Sequence, residues 1–442
     1  MNEVPAPAHP SPPWSGRLRD LLRGGLSHQI LSLYVLQGVN YLIPLITIPY
    51  LARVLQPDRF GTVAFGQGFI AYLVLLVSFG FNWSGTRQIS IHRDSPAAVS
   101  RIASTIWAAK TILALAGLAV LLLAAGAVAK IGAILPLALI LFGAVIGEVL
   151  MPVWLFQGME RMAALTTISM AVRILSTVGI FALVRRPDDY HAYAALLAAD
   201  ALVAGSLGMM AGLRRFRIRL VVPRWIDVGR QYREGWALFL TCGASSLYTV
   251  GNSFILGLVT DHVTVGYFNA AERLVRAANQ ILVPIEQAVF PVVNKLARES
   301  RTKALRFVRR LLPVVAGIGL FVSLGLALGA PLIVRVVLGS GFGPSAGVLR
   351  VLAPVVLNLS LTTVWSTLLM IAFRRDWAIL SIIAVAGVQN LLVGVFLAQW
   401  FGAVGMAAAY LGAETLVNVA TFIYTLRQGI NPLRIPPSPP TR

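Results

Sequence analysis

Twelve apolar stretches, each long enough to cross a bilayer, follow one another between residues 29 and 426. A spanning helix needs about 20 mostly apolar residues, since its backbone must satisfy its own hydrogen bonds where there is no water. On that ruler the stretches fall at 29–52, 61–86, 102–125, 132–156, 163–184, 191–213, 235–258, 263–292, 311–334, 346–373, 377–399 and 402–426. Soluble globules carry charge on about a quarter of their residues; here 12% of 442 residues are charged and 57% are hydrophobic. The chain reads as an all-α polytopic membrane protein.

The loops orient it. With the N-terminus in the cytoplasm, the cytoplasmic loops hold 26 of the 37 Lys and Arg residues, the opposite loops hold 6, and the stretches hold five. Basic loops are retained on the cytoplasmic side during insertion, so both termini are expected there. Topology thus accounts for the net charge of +20, and no nucleic-acid partner is expected. Holding anionic lipid headgroups is a secondary use open to the same loops. Residues 1–28 and 427–442 are Pro-rich and read as disordered cytoplasmic tails, with no apolar leader near the start. The single cysteine, Cys242, excludes an intramolecular disulfide and a thiolate metal site.

The longest basic loop, 214–234, separates six stretches from six, so the expected halves are 29–213 and 235–426. A shift of 205 residues lays LARVLQPDRFGTVAFGQ (51–67) over LGLVTDHVTVGYFNAAE (256–272), with Leu51 over Leu256, Val54 over Val259 and Gly61 over Gly266. Each copy is span, tight outer turn, span. An even number of crossings between copies makes the repeat parallel, and substrate sites in such proteins lie between the halves.

Ten ionisable residues lie inside the stretches: Lys110, Glu148, Arg173, Asp200, Glu272, Arg273, Arg276, Glu286, Arg350 and Glu414. Each is costly in hydrocarbon unless it faces water or a partner. At about 100° per residue, an unbroken eighth helix puts Glu272, Arg276, Asn279 and Glu286 on one stripe, flanked by Gln280 and Gln287. Two readings stand: the stripe lines a hydrated cavity, or Glu272 and Arg276 pair one turn apart near the headgroups. Gln37, Asn40, Tyr41 and Pro44 share a face of the first stretch, and Ser245, Tyr248, Thr249 and Asn252 share one of the seventh. Cavity lining and interhelical hydrogen bonding explain these equally well. Lys110, Glu148 and Arg173 read as snorkelling or buried pairs, and Asp200 as a protonatable coupling group or the partner of another helix. There is no Walker loop, HExxH, GxSxG or Cys/His ligand set, and Asp188 to His191 is more simply a helix N-cap. No enzyme activity, cofactor or metal is expected.

NYLIPLITIPYLARVLQPDRFGTVAFGQGF (40–69) resembles the opening hairpin of the polysaccharide-biosynthesis flippase family, the O-antigen and exopolysaccharide repeat-unit translocases. FNWSGTRQIS, GEVLMPVWLFQGMERM, VGYFNAAERLVRAANQILVPIEQAVFPVVNKL and VLGSGFGPSAGVLRVLAP resemble further family segments in the right order. The likeness covers residues 29–426. It implies the MATE-like fold of the multidrug/oligosaccharidyl-lipid/polysaccharide exporter superfamily: two six-helix lobes around a central cavity lined by the first, second, seventh and eighth helices. It also implies translocation of an undecaprenyl-pyrophosphate-linked oligosaccharide across the bacterial cytoplasmic membrane, with a polysaccharide polymerase and glycosyltransferases as candidate partners; the two halves already make a closed pseudo-dimer, so a monomer is expected. On that reading Arg276 and Arg273 meet the pyrophosphate, with Arg87 and Arg350 as lesser candidates. Asn279, Asn40, Gln37 and Asn252 contact sugar, and Glu272, Asp200 and Glu286 are candidates for ion coupling. The rival readings are an ion-coupled drug or small-cation exporter of the same superfamily and a non-transporting membrane scaffold that binds a lipid-linked precursor.

Overall fold

The computed structural model describes residues 26–433, without the side chains of residues 26–42 and of several positions between 237 and 248. Every regular element among the described residues is helical. Eight helical segments are long and apolar enough to cross a membrane. Two of these, Ile43–His92 and Asp376–Arg427, each contain two crossings, because the backbone reverses at Gln56 (φ 59°) and at Gly402 (φ 55°). Residues 225–259 and 262–299 supply crossings seven and eight; they are too polar or too broken to stand out by hydropathy. The chain is thus a multi-pass membrane protein, with twelve crossings among the described residues.

Local chemistry sets the ends of these helices. Asp261 caps crossing eight by accepting from the Thr264 N–H at 2.7 Å, and Ser95 caps crossing three before Pro96. At the first reversal Gln56 adopts a left-handed conformation rare outside glycine, and its side-chain amide donates to the Arg53 carbonyl at 2.7 Å. Crossing eight is broken. Its first helix ends at Asn279 and its second begins at Val283, with Pro284 in the opening turn where a missing N–H costs nothing. Crossing ten passes from Pro354–Thr362 into a π-helical stretch, Thr363–Ile371.

The crossings alternate between two faces. One carries the short reversals near residues 56, 261 and 402 and is called here the hairpin face; the other carries the basic loops. Close to the hairpin face the buried apolar residues form one cluster drawn from both halves, from Ile48 through Phe65, Phe268 and Leu349 to Val417. Toward the basic face this core divides. One satellite gathers Phe81, Trp107 and Trp154 of the first half with Val228, Tyr232 and Phe239 of the helix Trp225–Thr249, and another gathers Val293, Trp365 and Leu369 of the second half. The halves share one core at the hairpin face, and toward the basic face the helix of crossing seven packs onto the first half, with Tyr232 donating to the Ala109 carbonyl at 2.8 Å.

Two glycines form the junction. A Cβ on Gly61 would overlap the carbonyl oxygen of His262, and one on Gly266 would overlap that of Pro57. The shift of 205 residues exchanges the two contacts, Gly61 with Gly266 and Pro57 with His262, so the seam is its own image under the repeat. Small residues let membrane helices pack backbone to backbone, and no side chain fits here. Polar clasps reinforce the seam. The Lys130 ammonium donates to the carbonyls of Gly257 (3.1 Å) and Thr260 (2.7 Å) at the C-terminal end of crossing seven, and Arg53 donates to the Val336 carbonyl.

Away from the seam, Lys110 is fully buried and donates to the Glu148 carboxylate and backbone carbonyl, both at 2.8 Å. This is the buried-pair reading of the two, not the snorkelling one. Asn252 is buried too, and its Oδ1 accepts from Asn390 at 2.7 Å, joining crossings seven and eleven.

Replacing Gly61 or Gly266 by Ala should force the seam apart. We expect a loss of about 1–3 kcal/mol, the usual cost of overpacking, read as a lower melting temperature. In a Cys242→Ala background, a cysteine placed at buried Phe65 should become more reactive to an impermeant maleimide in either glycine variant than without it.

Candidate functional site

Between the halves lies a cavity of about 370 Å³. Its wall comes from crossing one (Pro44, Thr47), two (Gln67), five (Arg173), six (Asp200) and eight (Arg273, Arg276, Gln280). Among residues whose side chains are described, crossing seven contributes no lining residue; crossings five and six complete the wall that the family resemblance allotted to it.

Each guanidinium is held differently. Arg276 donates to the Glu272 carboxylate at 2.9 Å and to the Thr249 carbonyl. Its side chain is 47% exposed, into the cavity, while that of Glu272 is 6% exposed. Glu414 and Tyr410 of crossing twelve lie within electrostatic reach of Arg276 on the same side. The buried Glu272 carboxylate therefore positions the guanidinium, whose exposed side faces the cavity. Arg273 donates to Gln67 Oε1 at 2.8 Å and lies over the ring of Phe60, 5.1 Å from its centroid. Since Phe60 and Gln67 belong to crossing two, Arg273 bridges the halves. Arg173 has no ion pair among the described residues and is exposed. Asp200 also lines the wall, and its buried Oδ1 has no hydrogen-bond partner. The lining thus presents three guanidiniums and one carboxylate, with amides and hydroxyls between them.

The structure brings Arg276, Arg273, Asp200 and, behind the wall, Glu272 to one place. The remaining candidates lie elsewhere. Arg87, on the helix Phe81–His92, faces the basic side and pairs with Glu234 at 3.6 Å. Arg350 is exposed on the short helix Ser345–Leu352 and does not line the cavity. Asn252 is occupied by Asn390. Asn279 and Glu286 line a different, smaller cavity, because the break at 280–282 turns the eighth crossing and ends the single stripe that an unbroken helix would carry. The side chains of Gln37 and Asn40 lie outside the described residues. Arg173 was the residue that sequence reasoning set aside as snorkelling or paired; the signal was an arginine in mid-span with no acid one turn away.

A polytopic helical protein with two repeat-related halves around a polar cavity, closed at one face by packed backbone, is a transporter built for alternating access. The polysaccharide biosynthesis protein family model matches residues 26–297, and the chain belongs to that family. A relative from Escherichia coli (strain K12), named "Putative O-antigen transporter", is 30% identical over 393 residues, which is 89% of this chain and 95% of the relative. The fold is that of a solved structure titled "Lipid II flippase MurJ, inward closed conformation", at TM-score 0.69 and 13% identity over 89% of this chain and 87% of that one. It is also that of an inward-facing multidrug resistance MATE family transporter of the MOP superfamily, at TM-score 0.67 and 14% identity over 88% and 94% of the two chains.

Removing the Arg276 guanidinium leaves Glu272 buried without its partner. Because Arg276 is half open to cavity water, we expect Arg276→Ala to cost about 2 kcal/mol, below the 3–5 kcal/mol of a fully buried pair. Glu272→Gln in the same chain should recover most of that loss, measured by thermal unfolding in detergent.

Proposed function

We propose that the protein is a flippase for a lipid-linked oligosaccharide, moving a polyprenyl-pyrophosphate-linked repeat unit from the cytoplasmic to the outer leaflet for surface polysaccharide biosynthesis. The observation that carries this reading is the lining of the cavity by Arg173, Arg273 and Arg276. A pyrophosphate is multiply anionic, and arginine binds phosphate oxygens through two parallel N–H bonds. Gln67, Gln280 and Thr47 lie among the guanidiniums and offer donors and acceptors to sugar hydroxyls. The prenyl tail needs no protein site, since it stays in lipid at the gap between halves. The polysaccharide family and the O-antigen relative support the same substrate class.

The membrane is the bacterial inner membrane, with the basic face and both termini in the cytoplasm, as the distribution of Lys and Arg favours. The halves are residues 29–213 and 235–426, joined by the basic linker 214–234. In that orientation the glycine seam closes the outer side, and substrate enters from the basic side. The chain works as a monomer beside a polymerase and glycosyltransferases.

Translocation of a fluorescent undecaprenyl-pyrophosphate oligosaccharide in proteoliposomes tests the reading. A charged hydrogen bond to phosphate is worth about 1.5–3 kcal/mol, so Arg276→Ala and Arg273→Ala should each weaken substrate binding by roughly 10- to 100-fold. Arg173→Ala should act in the same direction, and Arg87→Ala and Arg350→Ala should have little effect. A wild-type protein that moves small organic cations but no lipid-linked sugar would replace this reading with the drug-exporter one.

A further inference from the structure

At the basic face a second cavity, of about 340 Å³, lies apart from the guanidinium one and shares no lining residue with it. Ligand pockets run from about 300 to 1,000 Å³. Three segments wall it: the helix Phe81–His92, the start of the helix Pro96–Ala127 of crossing three, and the helix Trp225–Thr249 of crossing seven. Both halves contribute, so the pocket is complete only while crossing seven lies against the first half.

Amides build that contact. Gln88 donates to Gln231 at 3.1 Å and accepts from it at 2.8 Å, and Gln88 also donates to Glu234 at 2.9 Å. The Nδ1 of His92 meets the Gln88 carbonyl at 2.9 Å. A carbonyl only accepts, so Nδ1 carries the proton and Nε2 is left as an acceptor. Buried Thr105 donates to the Arg101 carbonyl at 2.8 Å, which leaves the lone pairs of its hydroxyl to the pocket.

Charge separates this pocket from the other. Arg101 and Arg230 line it, and so do Asp227 and Glu234: two bases against two acids. Arg230 pairs with Asp227 at 3.5 Å, and Glu234 pairs with Arg87 at 3.6 Å. The guanidinium cavity has three bases to one acid. A polyanion gains little in the balanced pocket, where two carboxylates repel it. A neutral ligand dense in hydroxyls gains most. Each hydroxyl both donates and accepts, and a wall of carboxylate, amide, imidazole and guanidinium groups meets both needs. Hydrogen bonds to charged groups are also the stronger ones. Ile102 and Ala98 add an apolar strip suited to the C–H face of a sugar ring.

We propose that this pocket binds a glycan, reading sugar hydroxyls at the basic face before the pyrophosphate reaches Arg173, Arg273 and Arg276. That the glycan is the head of the transported lipid rests on the flippase reading; the sugar pocket itself does not.

Two probes, applied to the full chain in detergent, separate the sites. One is the oligosaccharide released by mild acid from the lipid-linked intermediates of the bacterium that makes the protein, titrated by saturation-transfer NMR. The other is undecaprenyl pyrophosphate without sugar, titrated by tryptophan fluorescence. Loss of one hydrogen bond to the ligand should weaken binding by roughly 3- to 10-fold. Arg101→Ala, at an exposed position, and Asp227→Asn, which keeps the side chain's shape, should each weaken oligosaccharide binding by that factor. Both should leave undecaprenyl pyrophosphate binding unchanged, and Arg276→Ala should do the reverse. The pocket is overturned by oligosaccharide that fails to bind the wild type, or that binds both pocket variants as tightly as the wild type. Weaker undecaprenyl pyrophosphate binding in those variants also overturns it, in favour of an anion site. Undecaprenyl pyrophosphate held equally by wild type and Arg276→Ala, with oligosaccharide still lost from the pocket variants, overturns the flippase reading of the guanidinium cavity and leaves the sugar pocket standing.

Discussion

The backbone contact between Gly61 and Gly266 governs the rest of the structure. Only where both positions lack a Cβ can crossings two and eight touch main chain to main chain. That contact draws the two halves together at the hairpin face and builds one apolar core there. Toward the basic face the core divides into two smaller ones, of which the first also takes in Val228, Tyr232 and Phe239 from the helix of crossing seven. The cavity lies where the packing changes from one shared core to two. Because the contact maps onto itself under the repeat, neither half can leave it alone.

Within this frame the buried charges are sorted by whether they have partners. Lys110 and Glu148 satisfy each other and hold crossings three and four together. Glu272 pairs with Arg276 from one turn away on the same helix, which holds the cation at the cavity wall. Arg273 is oriented by an amide and an aromatic face instead of an acid, which leaves its charge uncancelled. A cavity made this way is cationic where it meets a ligand, although the spans as a whole carry as many acids as bases. A residue count over the spans does not show this excess, which arises from which side chains reach the cavity.

Much of this was legible in the sequence because membrane insertion is a strong filter. Twelve crossings and the parallel repeat all follow from where apolar runs begin and end; they rest on solvation energies of many kcal/mol per polar group. Crossings seven and eight were visible by counting, although they are too polar to stand out by hydropathy. The stripe on crossing eight was legible only to its midpoint. Pro284 signals a break, but the turn taken after it depends on neighbouring helices, and it carried Asn279 and Glu286 into a different chamber. Arg173 shows the complementary failure. A lone arginine in a span has the same sequence signature whether it snorkels, pairs or lines a cavity.

By itself, then, the sequence determined the class of molecule, its crossings and the pairing of its two halves, since these depend on local hydropathy and on glycines recurring at a fixed spacing. It also marked Glu272 and Arg276 as partners, because residues four apart on a helix are neighbours whatever surrounds them. Only the tertiary structure decided which charges share a cavity, since that depends on helix rotation and on breaks set by packing between distant segments. It alone joined Arg173 of crossing five to Arg273 and Arg276 of crossing eight, about a hundred residues away in the chain. It also placed Glu286 and Asn279 together in a smaller chamber apart from the guanidiniums.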